Sequence, residues 1–250
     1  MARAPRESLS RMTQARIHTA MILAAGRGTR MRAKREDPPK PLVEVAGQSP
    51  LSRLLDRLEA TGIEKIIINL HHKAEWIKAH LAARQNRAEI IFSDETDSLL
   101  DTGGGVKKAL PLLGKDPFLV CNSDVLWLET QDNISRLMHH FDAEKMDVLL
   151  LLADIASSTG YDGAGDYCMA ADATLRRRTG PSKAAIFSGV RVVTPEVFSA
   201  IRETQFSFNA VFDAAENSQR LHGLMLQGRW MHVGTPEHHA EAEALINASS

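Results

Sequence analysis

The stretch TAMILAAGRGTRM, residues 19–31, carries the clearest structural signal of the sequence. Its first seven residues form an uncharged, mostly apolar run that is typical of a buried strand, and Gly26 and Gly28 predict a turn where the strand ends. Ligands of open α/β sheets bind outside the carboxyl ends of strands, so the loop is a candidate binding site. It matches neither common nucleotide fingerprint, because GxGxxG would need glycine at Met31 and GxxxxGK[ST] is absent. A simple tight turn remains the alternative.

Strands and helices alternate beyond this stretch. Leu51, Leu54, Leu55 and Leu58 recur at the spacing of a helix that lies on a sheet. Further strands are predicted at 65–69, 89–93, 118–122, 147–153 and 185–193, and a glycine turn at 103–105 leads into another helix. The alternation predicts an α/β domain with a mostly parallel sheet, covered by helices on both faces. After residue 153 the pattern becomes looser, and the last predicted element is a helix over 237–246.

Composition excludes several classes of protein. The chain has 250 residues and a formal net charge of −1, which argues against a general nucleic-acid binder. No apolar run reaches the roughly 18 residues that a membrane span needs. Two cysteines, Cys121 and Cys168, cannot build a disulfide scaffold, and Cys121 is predicted to be an inert buried thiol. We therefore expect a cytoplasmic protein with no nucleic-acid or membrane partner, and no protein partner is implied.

Positive charge is concentrated at the start of the chain. Residues 1–40 contain ten basic and three acidic residues. Residues 1–18 lack hydrophobic periodicity and are predicted to be a disordered tail, with translation starting at Met1 or Met12. Residues 19–250 are predicted to form one domain.

Three groups of residues can carry chemistry at the carboxyl ends of the predicted strands. Arg27, Arg30 and Lys40 lie beside loop amides and together can hold a triphosphate. Asp124 follows the predicted strand 118–122 and can bind Mg²⁺ through oxygen, a turn-forming aspartate being the alternative. Residues 102–105 read TGGG, whose backbone can approach a flat base closely, a flexible turn being the alternative.

The sequence resembles the sugar-1-phosphate nucleotidyltransferases. These begin with an LAAGxGTRM-type loop and a PKPL segment about ten residues later, and here residues 23–31 read LAAGRGTRM and residues 39–42 read PKPL. Four further segments most resemble the N-acetylmuramate 1-phosphate uridylyltransferases of cell-wall recycling: LDTGGG (100–105), NSD (122–124), FSG (187–189) and WMHVGT (230–235). The resemblance implies a Rossmann-like three-layer sandwich with a mostly parallel mixed sheet, of the nucleotide-diphospho-sugar transferase type.

The resemblance also implies a division of the domain into a nucleotide-binding half (19–125) and a sugar-binding half (126–250), and it implies substrates and roles for individual residues. It implies an enzyme that transfers a nucleotidyl group, with UTP the expected nucleoside triphosphate, to a sugar 1-phosphate, expected to be N-acetylmuramate 1-phosphate. A guanylyl- or cytidylyltransferase acting on another phosphate acceptor is an alternative. The implied catalytic residues are Arg30 and Lys40. The implied nucleotide-binding residues are Ala25, Gly26, Gly28, Thr29, Thr102 and Gly103. The implied substrate-binding residues are Asn122, Gly165, Asp166, Ser188 and Gly189.

His232 departs from the family pattern. The family's WxDVGT carries a second metal-binding aspartate, and this chain has His232 in its place. Mg²⁺ on Asp124 is the expected cofactor, while imidazole suits Mn²⁺ or another borderline metal better than Mg²⁺. Either Asp124 and the phosphates hold the metal alone, or His232 changes the metal preference, or catalysis is lost and the protein only binds a nucleotide-sugar. His238 and His239 are predicted to face solvent, with a metal-assisting role beside His232 as the alternative.

Overall fold

The computed structural model describes residues 16–26 and 37–249. Eleven strands lie in the described ranges: β1 (Thr19–Leu23), β2 (Lys65–Leu70), β3 (Glu89–Asp94), β4 (Phe118–Asn122), β5 (Leu126–Glu129), β6 (Val148–Ala153), β7 (Tyr167–Met169), β8 (Leu175–Arg177), β9 (Ile186–Val193), β10 (Leu221–Met225) and β11 (Gly228–Met231). Six α-helices accompany them: α1 (Pro50–Ala60), α2 (Ala74–Ala82), α3 (Asp101–Leu113), α4 (Asn133–His140), α5 (Asn209–Asn217) and α6 (Pro236–Ala248).

Seven strands form one central sheet in the order β10-β6-β9-β4-β1-β2-β3. All neighbours are parallel except β9, which runs antiparallel to both β4 and β6. The chain passes from β1 to β2 on one side and returns to β4 on the other, so the strand order reverses beside β1. Such a reversal opens a crevice at the carboxyl ends of the strands, where open α/β sheets bind ligands.

Helices cover both faces of the sheet and bury two apolar cores. On one face α1 buries the predicted leucine stripe, each of its four leucines being at most 1% exposed, together with α2 and α4. On the other face α3 and α5 pack through Val106, Val211 and Phe212. The expected three-layer sandwich with a mostly parallel mixed sheet is thus confirmed.

Helix ends follow the local sequence. The Ser49 side chain caps α1 by accepting a hydrogen bond from the Ser52 amide at 3.2 Å, and Pro50 occupies the first turn. The Thr235 side chain caps α6 in the same way, accepting from the His238 amide at 3.2 Å. The predicted C-terminal helix is therefore present, with one extra residue at its start and two at its end.

One predicted element is wrong. Residues 103–105 were expected to form a turn before a helix, but the helix α3 already begins at Asp101 and contains all three glycines. All three are buried. Gly103 and Gly104 lie against residues 204–206, where an added methyl group on Gly104 would overlap the Thr204 carbonyl oxygen, whereas Gly105 lies against the side chains of Asn69 and Glu95. Close packing of the helix against its neighbours, rather than a turn, is what these glycines allow.

The start of the chain is only partly described. Residues 1–15 of the predicted tail lie outside the described residues, whereas Ile17 is buried in the core and the His18 carbonyl accepts a hydrogen bond from the Glu64 amide at 3.0 Å. Packing against the domain therefore includes Ile17, inside the range predicted as a tail. The division of residues 19–250 into two halves stays a prediction. No helix in the described ranges is both long and apolar enough to span a membrane.

Candidate active site

A cleft of about 540 Å³ opens beside β4 and β9. It brings together seven of the residues predicted from the sequence, namely Lys40, Asn122, Asp124, Asp166, Ser188, Gly189 and His232. Val125, Tyr161, Asp162, Phe187, Trp230 and His238 are among the other residues in its wall. The cleft therefore combines cationic, anionic and aromatic side chains.

Lys40 and Asp124 meet in this cleft. Lys40 Nζ donates a hydrogen bond to Asp124 Oδ2 at 2.6 Å across 84 positions of sequence. Lys40 begins a single 3-10 turn, held by the Leu42 amide bonding the Pro39 carbonyl at 2.8 Å, and the buried Pro41 anchors it. Flanking prolines limit the backbone freedom of this turn, so the ammonium group is held in place. The expected convergence of Lys40 and Asp124 on one cleft is observed.

Asn122 ends β4 beside Asp124 and faces the same cleft. Its Oδ1 accepts a hydrogen bond from Nη1 of Arg191 at 3.1 Å. Arg191 is only 2% exposed, and burial lowers its pKa to about 9.

The predicted buried thiol lies in β4, next to Asn122. Cys121 is fully buried, and burial raises its pKa to about 12, so it stays an inert thiol at neutral pH.

Ser188 and Gly189 form one wall of the cleft. Gly189 has φ +96°, and a side chain there would overlap Val125, so the position needs glycine. The Ser188 carbonyl accepts a hydrogen bond from Trp230 Nε1 at 3.0 Å. Ser188 Oγ, in contrast, is buried and has no hydrogen-bond partner within the described chain. A buried hydroxyl without a partner in a cleft wall is suited to bonding a ligand.

Gly165 and Asp166 take different positions. Asp166 lines the cleft and uses Oδ2 to accept the Phe187 amide at 2.8 Å, which ties the start of β7 to β9. Gly165 stands behind it with φ +87°, where a side chain would overlap Ala184, and its amide donates to the Tyr161 hydroxyl at 3.2 Å. Gly165 therefore shapes the wall and is not one of the lining residues.

His232 and His238 lie side by side in the wall. Their ring centroids are 6.0 Å apart, and the His232 ring also tilts against Trp230 at 5.9 Å. His238 was predicted to face solvent, which is wrong: it lines the cleft, and its Nδ1 is buried without a hydrogen-bond partner in the described ranges. Thr235 caps the start of α6, so the helix begins two residues before His238 and holds His238 in the cleft wall.

None of the predicted nucleotide-binding residues that the structure describes lines this cleft. Ala25 and Gly26 follow β1, while Gly28, Thr29 and Arg30 lie outside the described residues. Thr102 and Gly103 are in the first turn of α3 and do not line this cleft. Thr102 Oγ1 accepts the Phe208 amide at 2.9 Å, and the Gly103 amide donates to the Phe206 carbonyl at 2.9 Å.

A buried polar network, missed from the sequence, links three strand ends near β1. Asn69 at the end of β2 accepts the Ala24 amide at 2.7 Å and donates through Nδ2 to Glu95 Oε1, also at 2.7 Å. The other carboxylate oxygen of Glu95 accepts the Leu100 amide at 3.1 Å. A polar Asn in the run IIINL was the available signal. The network fixes the backbone that leads into the glycine loop.

The possible metal ligands of the cleft fit an ion that receives most of its ligands from the substrates. The described residues contain no group of three or more His, Cys, Asp or Glu that could hold an ion. Mg²⁺ sites that handle phosphates commonly use one or two carboxylates, with phosphate oxygens and water supplying the rest. Asp124 fits that arrangement, whereas His232 supplies a nitrogen that Mg²⁺ does not favour.

Comparison with known proteins defines the class. Residues 20–156 match the model of the MobA-like NTP transferase domain. HddC from Yersinia pseudotuberculosis has the same fold, with a TM-score of 0.74 at 23% identity, covering 92% of this chain and all of that one. The domain match covers more than half of the chain, which therefore belongs to the family of proteins with a MobA-like NTP transferase domain.

Two curated relatives refine the comparison. The N-acetylmuramate alpha-1-phosphate uridylyltransferase of Caulobacter vibrioides is 39% identical over 91% of this chain and 96% of its own length. The enzyme of the same name from Neisseria meningitidis serogroup B is 34% identical over 92% of this chain and 98% of its own length. The resemblance inferred from the motifs is confirmed.

Proposed function

We propose that this protein transfers the uridylyl group of UTP to N-acetylmuramate 1-phosphate, giving UDP-N-acetylmuramate and pyrophosphate. Two relatives named N-acetylmuramate alpha-1-phosphate uridylyltransferase align along nearly the whole chain. The single structural observation that carries the proposal is the 2.6 Å contact of Lys40 with Asp124 in a cleft large enough for a sugar phosphate. It joins a phosphate-binding cation to a carboxylate that can hold a metal.

The reaction needs no general base. An oxygen of the sugar phosphate, ionised near neutral pH because its second pKa is about 6, attacks the α-phosphorus of UTP. The bond from that phosphorus to the bridging oxygen of the β-phosphate breaks, and pyrophosphate leaves with the electron pair. The protein's task is to align two polyanions and neutralise their charge. Lys40 supplies that charge at the α-phosphate, and we assign Arg30 and the amides of Gly28 and Thr29 to the triphosphate.

The acceptor is assigned to the side of the cleft built by β4 and β9. Asn122 contacts the sugar phosphate, and Asp166, Ser188 and Gly189 contact the sugar, with Gly165 shaping the wall behind them. Ala25, Gly26, Thr102 and Gly103 are assigned to the nucleotide. We assign a divalent metal to Asp124, with Mg²⁺ as the first choice; bound there, it would supply positive charge to offset the charge of the phosphates. Lys40 donates to the same carboxylate when no substrate is bound. We infer that its ammonium group turns to the phosphate oxygens when the substrates bind.

The proposal includes a place in the cell. We infer that the N-acetylmuramate unit is recovered from the cell wall and that the product returns it to peptidoglycan synthesis, as the resemblance to the uridylyltransferases of cell-wall recycling implies. Both cysteines of the chain are free, as expected in a reducing cytoplasm. We therefore place the reaction in cytoplasmic peptidoglycan recycling.

A nucleotide and acceptor panel tests the proposal. Pyrophosphate release is measured with UTP, GTP, CTP and dTTP, each paired with the 1-phosphates of N-acetylmuramate, N-acetylglucosamine, glucose and mannose. We expect UTP with N-acetylmuramate 1-phosphate to give the highest kcat/KM by at least about tenfold, equivalent to about 1.4 kcal/mol. A higher kcat/KM for another pair would replace the substrates assigned here.

The same panel tests the non-catalytic alternative that His232 raises. Calorimetry measures whether UTP binds. A protein that binds UTP but releases no pyrophosphate in Mg²⁺, Mn²⁺ or Co²⁺ would be a nucleotide-sugar-binding protein. Turnover in any of these metals rules that alternative out.

A further inference from the structure

A buried arginine lies directly behind the cleft. Arg191 is in the middle of β9, is 2% exposed, and makes no ion pair with any residue of the described ranges. Its guanidinium carbon lies 4.0 Å from the ring centroid of Phe208, 5.4 Å from that of Phe187 and 5.8 Å from that of Phe212. Aromatic faces compensate a cation only in part, so this charge costs stability that an apolar side chain would not.

The guanidinium has one hydrogen bond to the cleft wall. Arg191 Nη1 donates to Asn122 Oδ1 at 3.1 Å, and Arg191 Nε has no partner among the described residues. Arginine carries only donors, so the amide atom facing it must be the oxygen. The Asn122 NH₂ group is consequently turned the other way.

That NH₂ group lies next to Gly189, in the wall of the cleft. Asn122 Nδ2 has no hydrogen-bond partner within the described chain and lies 3.2 Å from where a side chain on Gly189 would begin. Asn122 and Gly189 both line the cleft. Without Arg191 the amide could present either its oxygen or its nitrogen, and an oxygen would repel a phosphate.

We propose that Arg191 is a positioning residue, which turns the Asn122 amide so that two N–H donors meet the phosphate of the sugar 1-phosphate. Arg191 itself does not contact substrate. This inference rests on the proposed function, because it needs a phosphate beside Asn122. An arginine as the one charged residue of the run 185–193 is the sequence signal for it.

A double-mutant cycle tests the inference. Arg191→Met and Arg191→Lys are each made in the wild type and in Asn122→Ala, and KM and kcat are measured for the acceptor that the wild type turns over best. We expect Arg191→Met to raise the acceptor KM about tenfold, with kcat within threefold and the KM for UTP unchanged. In the Asn122→Ala background the same substitution should raise the acceptor KM by less than twofold.

Val193→Ala is the matched control for packing. Val193 is fully buried on the same face of β9, two residues from Arg191, and does not contact Asn122. It should lower the melting temperature and leave the acceptor KM unchanged, whereas Arg191→Met should keep or raise the melting temperature. If Arg191→Met does not fold, Arg191→Lys carries the cycle, since lysine keeps the charge and loses the forked geometry.

The outcomes separate the two claims. Equal effects of the Arg191 substitutions with and without Asn122, or equal losses for the acceptor and UTP, would overturn the positioning role and leave the proposed function intact. A wild-type protein that turns over none of the acceptors would overturn the proposed function and this inference with it.

Discussion

Lys40 and Asp124 neutralise each other when no substrate is bound. Their side chains are 21% and 36% exposed, so both remain reachable from the cleft. A bound polyphosphate offers Lys40 a stronger partner than one carboxylate, because several oxygens then share its three donors. At the scale of single residues, this exchange of partners is how the site responds to substrate.

Removing Lys40 should mainly slow the reaction. We predict that Lys40→Ala lowers kcat about 10²-fold, equivalent to about 3 kcal/mol of transition-state stabilisation. Lys145→Ala is the matched control, since Lys145 also pairs with an aspartate, Asp142 at 3.0 Å, but on the surface. Initial rates of pyrophosphate release measure both. Wild-type rates in Lys40→Ala would remove Lys40 from the mechanism.

His232 should influence which metal works. We predict that His232→Asp raises the ratio of Mg²⁺-supported to Mn²⁺-supported kcat at least about fivefold, because it exchanges a nitrogen for the oxygen that Mg²⁺ prefers. The measurement is turnover across a titration of each metal. His238→Asp, in the neighbouring wall position, is the control. An unchanged ratio in His232→Asp would mean that Asp124 and the phosphates hold the metal alone.

At the scale of elements, α3 depends on its contact with the segment 204–206. We predict that Gly104→Ala lowers the melting temperature by several degrees, because the methyl group would overlap the backbone oxygen of Thr204, which cannot rotate away. Gly26→Ala is the control, since no atom of the described residues lies within 4 Å of a methyl group there. Equal melting temperatures for the two variants would contradict this packing.

Elements with a clear period were predictable, and those defined by distant partners were not. The leucines of α1 and the apolar β4 carry their own pattern, and the predicted bounds of β4 match those of the structure. β5 has four residues and pairs with β11 about a hundred positions later. The TGGG segment was assigned to a turn because glycine favours turns locally, while its contact with 204–206 is set by the tertiary fold.

Within the site, charged residues next to strand ends were predictable. Lys40 and Asp124 follow from the loop and strand pattern together with the family motifs. Arg191 and the Asn69–Glu95 network were not found, because their roles depend on which side chain lies opposite across the sheet. His238 was misassigned because its exposure depends on the fold of the preceding segment.

At the scale of the whole molecule, an ion pair joins α1 to the chain after α2. Glu59 is buried and contacts Arg84 at 2.8 Å. Burial opposes its ionisation, but hydrogen bonds from Arg84 and from the Ala88 and Arg87 amides outweigh that cost and lower its pKa to about 2. The pKa is lower in the folded than in the unfolded state, so this stabilisation is present above about pH 4.5 and is lost as the pH falls toward 2.

Removing the Glu59 carboxylate should make the free energy of unfolding depend less on pH in acid. We predict that the free energy of unfolding falls by about 3 kcal/mol less between pH 5 and pH 2 in Glu59→Gln than in the wild type. Urea unfolding at a series of pH values measures it. Glu75→Gln, in the exposed pair with Lys78, should follow the wild type. A Glu59→Gln curve parallel to the wild type would contradict the assignment.

The most direct test of the central claim is a crystal structure of the protein with a non-hydrolysable α,β-imido analogue of UTP, N-acetylmuramate 1-phosphate and Mg²⁺. We expect the α-phosphate within hydrogen-bond distance of Lys40 and the sugar phosphate within hydrogen-bond distance of Asn122 Nδ2, with Mg²⁺ on Asp124. A complex in which both ligands lie outside this cleft, and the Lys40–Asp124 pair stays closed, would contradict it.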